Sequence, residues 1–213
     1  TVGQDATSWP DRPYVQLNDE VCAGMLRDML AEVTNPDDIW IFGFGSLMWN
    51  PGFKPTERQP VTLRCYERKF HLWSTKGRGS QERPGLGLCL EPAKGSCRGI
   101  AYRLSPETRD KDLQYLWDRE MTSGVYHPRW LTVELENGLE LRVLTWVVNE
   151  THVRYAGPRP VHEMARVMAG GKGKYGTCRD YLANTIAEMA KLGERDPLFD
   201  EVLSLIDSEY AAV

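Results

Sequence analysis

Cysteine and histidine are scarce in this chain, and neither is grouped. Its 213 residues hold five cysteines and four histidines. Cys22, Cys65, Cys89, Cys97 and Cys178 are odd in number and form no Cys-x-x-Cys pair, which speaks against a disulfide framework and suits a reducing cytoplasm. His71, His127, His152 and His162 lack ligand spacing, so no metal site is expected. Charge of one sign is also missing. The net charge of −4 and pI near 5.6 carry no nucleic-acid footprint. No apolar run is long enough to span a membrane and no signal-peptide pattern opens the chain, so neither nucleic acid nor membrane is expected as a partner.

Nucleotide loops are missing too. After Gly43-x-Gly45, Met48 stands where the dinucleotide fingerprint needs its third glycine. In Gly170-Gly171-Lys172-Gly173-Lys174-Tyr175-Gly176-Thr177, counting from Gly171 puts Thr177 where the Walker lysine must be. Both nucleotide readings fail, and no cofactor is expected. The second stretch reads as a flexible connector between helices.

The length suits one domain, or two small ones, with a substantial core. We divide it into an N-terminal arm and helix over 1–35 and a main domain over 36–213. Asn18 caps a helix with apolar positions at Val21, Met25, Leu26, Met29, Leu30 and Val33, and Asn35-Pro36 closes it. A short apolar strand over Ile39–Phe42 then runs into Gly43-Phe44-Gly45-Ser46-Leu47-Met48-Trp49-Asn50-Pro51-Gly52. Two readings fit it. It is a core strand with a tight turn, or a strand whose glycines deliver bare N–H groups to a carboxylate or an oxyanion. Val61–Ser74 is β-type, and 76–85 is a polar, basic, glycine-rich loop. Leu86, Leu88 and Leu90 alternate as a strand, and Arg98–Leu104 is a separate strand candidate.

Ser105-Pro106 predicts a helix start, with the helix running to about Met121. Trp130–Glu136 and Leu139–Val148 flank Asn137-Gly138, a two-residue hairpin turn. Val161–Ala169, Cys178–Leu192 and Pro197–Tyr210 read as amphipathic helices. Strands in the middle and helices at the ends predict an α+β fold with a curved or barrel-like sheet.

One carboxylate is out of place. Leu113, Leu116 and Trp117 mark the buried stripe of the helix after Ser105, and Glu120 completes its period, while Asp118 and Arg119 point elsewhere. Burial and the negative helix end both raise a carboxyl pKa, which suits a general base and acid near neutrality. The alternative is a glutamate at a fraying end, paired with Arg119 or solvated. Glu91 and Glu134 are weaker candidates. Ser46 lacks the Gly-x-Ser-x-Gly elbow of a serine nucleophile. Arg78 is a solvated loop cation or a carboxylate anchor.

Together these stretches resemble the ChaC-type γ-glutamylcyclotransferases, particularly the bacterial form. The matches are Trp40-Ile41-Phe42-Gly43-Phe44-Gly45-Ser46-Leu47-Met48-Trp49-Asn50-Pro51, Gly77-Arg78-Gly79 with Pro84-Gly85, Gly99-Ile100-Ala101-Tyr102-Arg103-Leu104, and Leu116-Trp117-Asp118-Arg119-Glu120-Met121 with Gly124, Tyr126, Pro128 and Trp130. Tyr155-Ala156-Gly157-Pro158 is the last. Each motif alone is weak, but in this order they are specific. They run from about Trp40 to near the C-terminus, leaving out the arm and first helix.

The resemblance implies an α+β fold, a small mixed β-barrel with flanking helices. It implies cleavage of glutathione to 5-oxoproline and cysteinylglycine without metal or cofactor. It makes Glu120 the catalytic residue and puts Phe44, Gly45, Ser46, Leu47, Arg78 and Tyr126 around the substrate. Phe44 replaces a tyrosine of the family pattern, and Leu86 stands where relatives usually carry arginine. These departures leave room for another γ-glutamyl amine as substrate, or for a silent γ-glutamyl-binding protein.

Overall fold

The computed structural model describes residues 16–210. The arm expected before Leu17 lies almost entirely outside them. The helix after Asn18 is α1 (Asp19–Ala31), and the Asn18 side chain accepts from Val21 N at 2.8 Å. Met25, Leu26, Met29 and Leu30 pack inward, whereas Val21 is exposed and Cys22 takes its place at the core. The helix is pinned where the Trp130 indole N–H donates to the Met29 carbonyl at 3.0 Å.

Five strands close a barrel in the order β1-β3-β2-β4-β5. They are β1 (Trp40–Gly43), β2 (Glu57–Ser74), β3 (Gly85–Arg103), β4 (Tyr126–Leu135) and β5 (Glu140–Val148). Neighbours are antiparallel except at the seam, where β1 runs parallel to β5 with Ile41 opposite Leu144. The mixed barrel with flanking helices is the architecture expected. The β4–β5 hairpin forms where expected, but its loop is 136–138 and not the two-residue turn: Glu134 pairs with Glu140, Leu135 N donates to the Leu139 carbonyl at 2.8 Å, and Gly138 takes the left-handed position at φ 80°.

The structure corrects several expectations. Leu86–Leu90 and the expected Arg98–Leu104 strand, up to Arg103, belong to one 19-residue strand, β3. Pro92 and Gly95 lie between the two stretches, where the ladder with β2 shifts register between Arg64 and Tyr66, and this bulge takes up the irregularity. The helix expected at Ser105 begins later, as α2 (Arg109–Glu120), with Thr108 at its cap and Ser105–Thr108 forming a turn. The connector at 170–177 is no loose link. It folds into a two-stranded hairpin, β6 (Lys172–Gly173) and β7 (Gly176–Thr177). It joins α3 (Val161–Gly170) to α4 (Cys178–Lys191), and α5 (Pro197–Glu209) follows.

The core has two main parts. One fills the barrel and its contact with α3–α5, around Phe42, Phe70, Trp73, Leu86, Leu90, Leu182 and Phe199. The other lies between α1, α2 and the β1/β5 seam, around Ile41, Leu113, Trp117 and Trp146. The tryptophans at 73, 117 and 146 are therefore core residues, each 1% exposed. The two parts meet at β1, whose four residues are all buried.

Candidate active site

The chain leaves β1 and turns at once into a 3-10 turn, Ser46–Met48. Gly43 permits this, because a Cβ there would stand 2.8 Å from the Leu47 Cβ. Met48 N closes the turn onto the Gly45 carbonyl at 2.8 Å. The N–H groups of Ser46 and Leu47 precede that bond and have no partner within the turn. The Tyr102 hydroxyl, from β3, lies 3.0 Å from the carbonyls of both Leu47 and Met48 and holds the turn from behind. Tyr102 thus explains the weight of the Gly99–Leu104 motif.

α2 brings the carboxylate to this turn. Leu113, Leu116 and Trp117 bury its apolar stripe, and Glu120 follows at its last position. The Glu120 side chain is 19% exposed. Desolvation raises its pKa, and the Arg119 charge opposes the rise. Glu120 is thus mostly shielded from solvent and also paired, its Oε1 3.2 Å from Arg119 Nε. Arg119 was read as pointing elsewhere, and the structure corrects this. Its Nη2 donates to Ser46 Oγ at 2.7 Å and its Nη1 to the Asn50 carbonyl at 3.0 Å. One guanidinium ties the helix end to both sides of the turn. A helical wheel misses this because the reach of a long side chain outweighs the direction of its Cα–Cβ bond.

Phe44, Gly45, Ser46, Leu47, Glu120 and Tyr126 line one cavity together with Leu88, Trp146 and Tyr181. It is small, with about 40 Å³ open to the centre of a water molecule. Leu88, Trp146 and Tyr181 were not singled out from sequence. Each sits in an ordinary apolar pattern, and only the barrel's closure turns them toward one space. Tyr126 donates to the Leu88 carbonyl at 3.0 Å, and burial followed by the nearby Glu120 charge pushes its hydroxyl pKa well up. Tyr181 behaves the same way, raised by burial and by Glu120 and drawn back by Arg78 and Arg119. Arg78 is not in the cavity wall. Its guanidinium lies over the Tyr181 ring, 4.8 Å from the centroid.

The other candidates separate from the site. Glu134 is a surface residue paired with Arg64 at 2.6 Å. Glu91 meets His71 Nδ1 at 2.7 Å, outside the cavity, and its pKa is lowered although burial opposes this, His71 being the main favourable partner. Ser46 Oγ accepts from Arg119, and no histidine lines the cavity, so the arrangement is not that of an activated serine. What the cavity offers is a carboxyl tuned upward, in one wall with a tight turn. That set can move a proton while a neighbouring oxyanion is held.

Known proteins share this arrangement of sequence. The ChaC-like protein family profile matches residues 39–209. A glutathione-specific γ-glutamylcyclotransferase of Escherichia coli is 37% identical over 170 residues, covering 79% of this chain and 73% of that protein. Gamma-glutamylcyclotransferase 2-3 of Arabidopsis thaliana is 32% identical over 165 residues, covering 74% of this chain and 83% of the relative. A crystal structure of a yeast glutathione-specific γ-glutamyl cyclotransferase superposes with a TM-score of 0.73 at 21% identity, covering 80% of this chain and 96% of that one. At that identity the likeness speaks for the fold, while the profile and the sequence relatives speak for descent: the chain belongs to the ChaC-like protein family.

Proposed function

We propose that this protein is a γ-glutamylcyclotransferase that cleaves glutathione to 5-oxoproline and cysteinylglycine. The observation that carries the reading is the position of Glu120, with its raised pKa, in one small cavity with the Gly45-Ser46-Leu47 backbone. The names of the relatives supply the substrate class.

The reaction fits these groups. The α-amine of a γ-glutamyl unit is tethered near its own γ-carbonyl, so ring closure is intramolecular and needs only orientation. Glu120 takes a proton from the α-amine as its nitrogen attacks the γ-carbonyl carbon. The C–N bond formed closes a five-membered ring, and the carbonyl oxygen becomes an oxyanion. The N–H groups of Ser46 and Leu47 are the donors proposed for it. Collapse breaks the bond to the cysteine nitrogen, and Glu120 returns the proton to that leaving amine. The carboxyl ends as it began. A base that must also act as acid works best with its pKa moved toward neutrality, the direction burial gives Glu120. Tyr126 and Tyr181 stay protonated by the same burial and serve as walls and hydrogen-bond donors.

The test is direct. Purified protein incubated with glutathione should release 5-oxoproline and cysteinylglycine in equal amounts. Glutathione recovered intact, with tight binding retained, would instead point to a γ-glutamyl-binding protein. Turnover of other γ-glutamyl amines but not of glutathione would move the substrate and keep the chemistry.

A further inference from the structure

The cavity groups account for a γ-glutamyl unit but not for the far end of a γ-glutamyl peptide. In glutathione that end is a second carboxylate, on glycine. Position 86, the departure noted in the sequence, cannot meet it, because Leu86 is fully buried in the barrel core. The cation that overhangs the cavity wall is Arg78, stacked on Tyr181. Its guanidinium donates through Nη1 to the Tyr175 carbonyl. Among the described residues no carboxylate pairs with it. Arg119, the other cation acting on Tyr181, has each guanidinium nitrogen engaged. Arginine carries five N–H donors in a fixed fork, so Arg78 keeps donors for a carboxylate held at two points.

Arg78 owes its aim to the β6–β7 hairpin. Lys174 N donates to the Lys76 carbonyl and Tyr175 N to the Gly77 carbonyl, each at 2.9 Å. The backbones touch where they cross: a Cβ on Gly173 would lie 2.7 Å from Gly77 C and O and from Gly79 O. The Arg78 N–H is fixed separately, on Ser74 Oγ at 2.9 Å. Lys76, Lys172 and Lys174 are exposed on the same two segments, so an anion nearing Arg78 meets positive charge. We infer that Arg78, oriented by the Tyr175 carbonyl of the hairpin, selects γ-glutamyl substrates whose leaving amine ends in a carboxylate. The inference rests on the cyclotransferase reading.

Two substrates test it: glutathione, and glutathione with its glycine carboxylate converted to the amide. Both keep the glutamyl α-carboxylate. The wild-type protein should show a KM for glutathione at least about tenfold below that for the amide, as expected for a charge-assisted bond. Arg78→Gln should raise KM for glutathione by about that factor and leave the amide's KM unchanged, with kcat nearly constant on both. Arg78→Lys keeps the charge but not the fork, and should recover only part. Gly173→Ala should reproduce the loss without altering a group that touches substrate. Arg78→Gln decides the matter if Gly173→Ala fails to fold. Equal loss on both substrates would place Arg78 at the glutamyl end and overturn the inference alone, as would equal wild-type KM values. A wild-type protein that releases 5-oxoproline from neither compound overturns the cyclotransferase reading and this inference with it.

Discussion

Glu120 and Arg119 are neighbours in sequence with opposed effects on one proton. Burial holds the carboxyl pKa up and the guanidinium pulls it down. Glu120→Gln keeps size and hydrogen-bonding reach but cannot take the proton. We expect a fall in kcat of at least about a hundredfold, within the usual worth of general acid–base help. Glu134→Gln, at a surface ion pair, should keep most activity. Near-normal kcat in folded Glu120→Gln would mean another base. Arg119→Gln acts differently. With the guanidinium gone, the Glu120 pKa rises further, so the acidic limb of kcat/KM against pH should move to higher pH. The turn also loses its tie at Ser46 and Asn50, and kcat should fall on the order of 10–100-fold through misplacement. A reduced rate with an unmoved limb would leave Arg119 as packing only. Sequence made Glu120 legible because a carboxylate in a 3.6-residue apolar stripe is an anomaly. It hid Arg119, because an arginine in the last turn of a helix is ordinary.

At the scale of the element, the 3-10 turn works through its backbone. Its serine is a contact for Arg119, while its glycines set its shape. A Cβ on Gly45 would come within 3.2 Å of the Tyr181 hydroxyl and 3.4 Å of Leu88 Cδ1, both in the cavity wall. Gly45→Ala should therefore cost turnover about tenfold or more, through the same misplacement. Ser46→Ala, which loses one hydrogen bond, should cost less. The reverse order in 5-oxoproline release would reopen a serine nucleophile. Elements with a clear period were readable: α3, α4 and α5 fall within about one residue of their expected ends, and a β4–β5 hairpin forms around Asn137-Gly138, with Glu136 added to its loop. The hairpin at 172–177 was not, since two-residue strands are too short to show alternation. The unity of β3 was not legible either, because its middle, around Pro92 and Gly95, is held as strand by pairing with β2 and not by local preference.

For the whole molecule, the buried carboxyl is a cost to folding. Its folded pKa lies above its unfolded value, so the native state holds the Glu120 proton more tightly. Stability is lost as pH rises through the unfolded and then the folded value, and the loss is complete above both. Glu120→Gln should thus melt at a higher temperature than the wild type near about pH 8, the difference closing as pH falls below the ordinary carboxylate range of about 4. A variant less stable at every pH would show that the Arg119 pairing outweighs the desolvation. With Glu120 as the proposed base, activity and stability would be set against each other at this one residue.

The seam of the barrel has a consequence for how the protein is made. β1 carries the turn into the cavity, yet one of its two neighbours is β5, paired at Ile41 and Leu144. On a ribosome about a hundred residues must follow β1 before that partner exists, roughly 5–20 s of synthesis at ordinary rates. Through that interval a fully apolar strand has an open edge, the kind of surface that recruits wrong partners. A nascent chain stalled before β5 should hold neither a closed barrel nor a working site, and a chaperone that shields β1 should raise the yield of active protein. The order of synthesis puts the turn that lines the cavity well ahead of the strand that encloses it.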